Sequence, residues 1–177
     1  MLTKSSIVVL GIVYRTPINA YEIIKMIEKM NMKWWFPVGD STIYATLKSL
    51  EKKKYIKGEC KKEGNMPEKT IYTLTESGRR VLLNELKTII CSFDYDTVWF
   101  SIAAVFIGVF PKEEVQSMLA MRFELLEQYI NAINAQVKEM ENQQTDRVII
   151  SGVKRMGEIV KAEKVSCSLL LKNFQEQ

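Results

Sequence analysis

"DSTIYATLKSLEKKKYIKGECKKEGNMPEKTIYTLTESGRR", Asp40 to Arg80, sets a helical run, seven lysines within fifteen residues (48–62), a turn and a strand-like run end to end. Ile43, Leu47 and Leu50 fall at i, i+4 and i+7, the spacing of one buried helical face. Asp40 is suited to cap that helix. The opposite side carries Ser41, Ala45, Lys48, Ser49 and Lys52, with Thr42 and Tyr44 flanking. Tyr55 to Lys62 then reads as a strand, "EGNMP" as a hairpin loop, and "KTIYTL" as the returning strand with Thr70, Tyr72 and Leu74 on one side. Thr75 is placed to cap a further helix, and Glu76 suits the positive end of its dipole.

Upstream, "SIVVLGIVY" (residues 6–14) has the length and apolarity of a buried helix, closed by Arg15-Thr16-Pro17. Asn19 is placed to cap a second helix, "AYEIIKMIEKM", with Ile23, Ile24 and Ile27 on one face. Pro37 and Gly39 punctuate the chain before the run quoted above. Helix, helix, helix, strand, loop, strand, helix within about 85 residues is the plan of a winged helix-turn-helix.

Beyond residue 90 the strand signals stop. The most apolar window, "TVWFSIAAVFIGVF" at 97–110, is fourteen residues long. A membrane-crossing helix needs roughly 20, so this one is expected to be buried in protein. From Val115 the apolar positions step through Leu119, Leu126, Tyr129, Ile133, Val137 and Met140. A last helix repeats the pattern through Ile149, Val153, Met156, Val160, Glu163, Cys167, Leu170 and Phe174, a coiled-coil-like seam. "ENQQTD" at 141–146 is the polar joint. The stripes are expected to be too extensive to bury on each other, which favours packing against a second copy over a monomeric bundle. Arg122 and Glu163 interrupt them; edge positions that snorkel to water are expected, with a register-setting pair as the alternative. The fold class is therefore mainly α with a small β-hairpin wing: a winged helix-turn-helix domain at 1–90 and a helical dimerisation domain at 91–177.

Composition narrows the function. The 177 residues include no histidine, which removes Ser-His-Asp and Cys-His nucleophiles and His-ligated metals together. Cys60, Cys91 and Cys167 are odd in number and lack CxxC spacing, so neither a disulfide framework nor a zinc site is expected. Carboxylate or lysine catalysis stays open, but no glycine-rich phosphate loop accompanies it, and no enzyme activity, cofactor or metal is expected. The amino terminus has no signal-peptide pattern, and a cytoplasmic protein with no membrane segment is expected. Net charge is +4. Residues 1–90 hold 16 Lys+Arg against 9 Asp+Glu, and residues 91–177 hold 9 against 12, or +7 beside −3. Such a split suits one domain facing a polyanion.

The candidate nucleic-acid site follows. Small hydroxyl and apolar side chains at Ser41, Thr42, Ala45 and Ser49 let a helix sink into a major groove, and Tyr44 and Lys48 share that face. Lys52, with Lys61, Lys62 and Lys69 on the wing, would clamp phosphates, and Tyr21 at the start of the second helix adds another contact. The plainer readings are a solvated helix face and a sheet edge blunted by lysine. Trp34, Trp35 and Trp99 form a candidate pocket for a flat apolar ligand, against the plainer reading of core and interface filling. Two other functions stay open: a winged-helix module that turns its lysines on an acidic protein, and a ligand-sequestering protein.

Taken in order, Leu10-Gly11, Tyr21-Glu22, Trp35, Thr42-Ile43-Tyr44, Leu47, Leu50-Glu51, Tyr72, Leu74-Thr75 and Gly78 resemble the PadR family of bacterial and archaeal transcriptional regulators. Two positions depart: Asn19-Ala20 stands where the family usually has His-Gly, and Ala45 where it has proline. The resemblance implies a homodimeric repressor on a two-fold site in double-stranded DNA, commonly controlling stress or efflux genes. It also implies release by a small aromatic effector, and a helical second half that serves dimerisation.

Overall fold

The computed structural model describes residues 2–62 and 68–176. The expected hairpin loop, Glu63-Gly64-Asn65-Met66-Pro67, lies outside the described residues. The chain divides into two compact units, Met1–Leu86 and Lys87–Gln177.

In the first unit the elements run α1 (Lys4–Arg15), β1 (Ile18–Asn19), α2 (Ala20–Lys29), a 3-10 turn (Met32–Trp34), α3 (Asp40–Lys52), β2 (Ile56–Lys61), β3 (Lys69–Leu74) and the start of α4 (Glu76–Cys91). Ile7 to Val13 of α1 are all buried, which suits a helix apolar on every side. It packs against α3, whose Ile43, Leu47 and Leu50 face inward with Thr46. Each such apolar side chain contributes about 1.5–3 kcal/mol. Thr3 caps α1 by accepting the Ser6 N–H at 3.1 Å, and Asn19 caps α2 by accepting that of Glu22 at 3.0 Å.

The start of α3 differs from expectation. Gly39 occupies the cap position with no side-chain bond, and Asp40 is already helical. There its carboxylate meets the positive end of the dipole instead of capping it. The sheet also gains a strand. Ile18 pairs antiparallel with Tyr72 and Asn19 with Ile71, giving the order β1-β3-β2. Two residues are too short to show any alternation.

The corner between α3 and β2 is heavily bonded. Lys54 is left-handed at φ 59°, its N–H reaches Glu51 O at 2.8 Å, and the Tyr55 N–H reaches Leu50 O at 3.0 Å. That is a Schellman ending. Thr75 Oγ1 lies 2.8 Å from Lys54 O and 3.0 Å from Tyr55 O, while Ser77 Oγ donates to Lys54 O at 2.9 Å. Thr75 also caps α4, accepting the Gly78 N–H at 3.1 Å. A Cβ on Gly78 would stand 2.0 Å from Tyr55 O, so only glycine fits there.

In the second unit the end of α4 is followed by α5 (Val98–Phe106), a 3-10 turn (Ile107–Val109), α6 (Lys112–Asn142) and α7 (Arg147–Glu176). Among the described residues, no helix is long and apolar enough to cross a membrane. Helices α6 and α7 run antiparallel. Gln116 Nε2 donates to Phe174 O at 3.1 Å near one end, and Lys154 pairs with Glu141 at 2.8 Å near the other. Between them Gly157 lets the helices approach; a Cβ there would lie 3.2 Å from Ile133 Cγ2.

Helices α6 and α7 pack on each other, and Val115, Leu119, Leu126, Ile133, Val160 and Cys167 of the stripes are buried, while Tyr129 stays exposed. Two expectations are corrected here. The seam of α7 near its start runs through Ile150, Val153 and Gly157, leaving Ile149 and Met156 exposed. Gly157 sits on that seam, facing Ile133 of α6. Arg122 and Glu163 do not snorkel. Arg122 is 1% exposed and its Nη2 pairs with Glu163 Oε2 at 2.7 Å. Its Nη1 donates to Ser92 O, with Ile89 O at 3.5 Å, and the guanidinium stacks 3.6 Å from the Phe100 centroid. The last carbonyls of a helix lack intrahelical donors and carry its negative dipole end. Arg122 satisfies that end of α4 from the middle of α6. Its Nε is buried without a hydrogen-bond partner among the described residues.

Candidate nucleic-acid interface

Helix α3 divides cleanly into two faces. Ser41, Thr42, Tyr44, Ala45, Lys48, Ser49 and Lys52 are all exposed, and Ile43, Thr46, Leu47 and Leu50 are all buried. Tyr44 is 49% exposed and Tyr21, in the first turn of α2, 60%. Lys25 Nζ stands 4.5 Å from the Tyr21 ring centroid, so a cation accompanies that aromatic. The outward side of α3 thus carries hydroxyls, one phenol, small methyl groups and two ammonium groups, with the carboxylates of Asp40 and Glu51 near its ends. Those groups can donate, accept and sit close to a base edge.

The turn before this face holds a contact that pattern reading passes over. Lys33, in the turn between α2 and α3, bonds Glu28 at 2.8 Å and Asp40 at 3.5 Å. It ties the end of one helix to the start of the next. The bond to Glu28 holds the Lys33 ammonium above the ordinary lysine range. Nothing in its spacing distinguished it from the other lysines.

On the wing, Lys61 and Lys62 are exposed and Lys69 is half-buried. Lys61 and Lys69 are directly opposed in the β2–β3 register, at the end of the ladder that leads to the hairpin tip. Lys57 and Glu59, two apart on β2, bond at 2.8 Å; this raises the lysine and lowers the carboxyl from their usual ranges. Glu51 Oε1, on α3, accepts the Gly58 N–H at 3.0 Å, a second contact not visible in the sequence. Cys60 is exposed, with Thr70 Oγ1 at 3.8 Å from its sulfur.

The tryptophans belong to different units. Trp34 ends the 3-10 turn and a half-buried Trp35 follows it in the first unit; Trp99, also half-buried, lies in the first turn of α5 in the second. Among the described residues no cluster of His, Cys, Asp or Glu is arranged to hold a metal.

A three-helix core, an antiparallel wing and an exposed polar face on the third helix define a winged helix-turn-helix protein. Residues 9–84 match the family described as "Transcriptional regulator PadR-like family". Its members are regulators, not enzymes. Among solved structures, the chain is similar to Bacillus subtilis PadR in complex with operator DNA, at 18% identity over 98% of this chain and 99% of that one, with a TM-score of 0.44. It is similar to the PadR-like regulator BC1756 from Bacillus cereus, at 20% identity over 99% and 94%, TM-score 0.42. The Bacillus subtilis PadR structure with p-coumaric acid stands at 17% over 98% and 99%, TM-score 0.40. No curated protein matches the chain.

Proposed function

We propose that this protein is a cytoplasmic homodimeric repressor that reads a two-fold DNA operator with α3 and grips the flanking phosphates with its wing. The supporting observation is the split of α3, where Ser41, Thr42, Tyr44, Ala45, Lys48, Ser49 and Lys52 are exposed, with Asp40 and Glu51 near its two ends, while Ile43, Leu47 and Leu50 are buried. In this reading Ser41, Thr42, Tyr44, Ala45, Lys48 and Ser49 meet base edges. Lys52, Lys61, Lys62, Lys69 and Tyr21 meet the backbone. A dimer places its two α3 helices about one DNA turn, ~34 Å, or a multiple of it apart.

An apolar strip remains on α7 for the second copy. Val165 and Leu169, four residues apart, are 61% and 60% exposed, and Val148 and Ile149 are exposed at the start of the helix. In this reading a small aromatic molecule, of the class with which Bacillus subtilis PadR was solved, acts as the releasing effector.

The test is retention of fragmented genomic DNA by the purified protein at rising salt, followed by sequencing of what is retained. A recurrent two-fold sequence with steeply salt-dependent retention is expected. No retention at low salt overturns the proposal and leaves an acidic protein as the partner of the lysines.

A further inference from the structure

Glu51 is the one acidic residue between Asp40 and Glu59, and it stands among Lys48, Lys52, Lys53, Lys54 and Lys57. It is exposed, on a helix whose outward face is the candidate reading surface. A carboxylate there repels phosphates and weakens the surface it sits on. Its contact supplies the reason for its presence. Strand β2 is an edge of the sheet, and an edge strand offers N–H groups that no neighbouring strand takes. Glu51 Oε1 takes that of Gly58 at 3.0 Å.

Gly58 is shaped for this approach. A Cβ there would lie 2.6 Å from Glu51 Oε1, 2.8 Å from Thr70 Cγ2 and 3.1 Å from Tyr72 Cε1. Any side chain at 58 must push the carboxylate or the β3 side chains aside. Tyr72, directly across the ladder from Gly58, has its phenol pushed above the ordinary range by burial first and by the Glu51 charge second. Glu51, Gly58 and Tyr72 thus form one packed joint between the last turn of α3 and the root of the wing.

We propose that Glu51 is a positioning residue that sets the wing against the recognition helix, so that Lys61 and Lys62 reach phosphates while α3 is seated in its groove. The inference rests on the DNA-binding reading above. The carboxylate acts as a hydrogen-bond acceptor at this site, and its negative charge is incidental to that role.

The experiment compares Glu51→Gln, Glu51→Ala and Gly58→Ala in the full-length protein, using a retained fragment as probe across a salt series. The carboxamide oxygen of Glu51→Gln still accepts the Gly58 N–H. That variant is expected to keep the wild-type salt slope and to bind at least as tightly. Glu51→Ala is expected to bind about tenfold more weakly. Its salt slope should be lower by about 2, because Lys61 and Lys62 no longer reach their phosphates. Gly58→Ala should resemble Glu51→Ala, and the double variant should be no worse than either alone, because both break one joint. Alanine and glutamine behaving alike, or losses that simply add, overturns the tether. A second readout needs no DNA. Amide hydrogen exchange at Gly58 should quicken in Glu51→Ala and not in Glu51→Gln, and equal protection in all three proteins overturns the inference. A wild-type protein that retains no DNA defeats the functional reading, while the exchange measurement still decides the joint.

Discussion

Replacing Arg122 by methionine should destabilise the helical unit by about 3–5 kcal/mol, the range for removing one partner of a buried ion pair. The reasoning follows from what the guanidinium touches. It is 1% exposed, and the Glu163 side chain, 2.7 Å away, is 13% exposed. The substitution strands that carboxylate and withdraws the donor from Ser92 O and Ile89 O at the end of α4. Methionine is close to arginine in length and packs against Phe100 as arginine does, so the loss is electrostatic and not a cavity. Pairing the change with Glu163→Leu removes the stranded charge and should recover most of the loss, because an apolar replacement of a whole buried pair is often neutral or stabilising. The unpartnered Arg122 Nε disappears in both variants, which favours that recovery. Thermal unfolding of the full chain followed by circular dichroism reads the effect. At about 4–8 °C per kcal/mol for a unit of this size, the single variant should melt about 12–40 °C lower in the helical transition. A single variant within about 1 kcal/mol of wild type, or a double variant as unstable as the single, refutes the account of Arg122 as a paired, buried cap.

Lys61→Ala with Lys62→Ala should weaken binding similarly on every DNA sequence and lower the salt slope by about 2; loss on one sequence alone with an unchanged slope refutes the phosphate role. Val165→Glu with Leu169→Glu should convert the proposed dimer to monomer in light scattering while leaving the far-ultraviolet helical signal intact, and a wild-type monomer at micromolar concentration refutes the proposed interface. Lys33 and Lys57 are both held above the ordinary lysine range by carboxylate partners. Contributions of that sign are fully present below the unfolded lysine value and are lost only as pH climbs through the raised one. With no histidine in the chain, DNA retention at fixed salt should stay flat from about pH 6 to about 7.5, and a step inside that window refutes the assignment of the turn and wing cations.

The legibility of this fold in its sequence was uneven, for physical reasons. The inward face of α3 was visible because Ile43, Leu47 and Leu50 keep the helical period without interruption. The caps at Asn19 and Thr75 were visible because their bonds are local, three residues long. What escaped was made by distance or by shortness. Strand β1 is two residues, below the length at which alternation exists. The Glu51–Gly58 bond spans a helix end and a strand, and Lys33 reaches Glu28 and Asp40 from five and seven residues away by a flexible side chain that follows no helical spacing. The α7 seam was misplaced at Ile149 and Met156 because Gly157, which sits on that seam, carries no apolar signal. Arg122 was misread because a charge in an apolar stripe usually reaches water. Here it found a carboxylate and the open end of a helix instead.

Lys54 has a consequence for anyone who selects variants of this protein for heat resistance. Its backbone adopts a conformation that glycine enters freely and that costs a side-chain-bearing residue about 1–2 kcal/mol. Lys54→Gly would relieve that strain while leaving intact the carbonyl that Thr75 and Ser77 hold. It would also delete a cation from the most basic stretch of the chain. A screen for thermal robustness should therefore enrich this substitution and return proteins that are sturdier and grip polyanions less well.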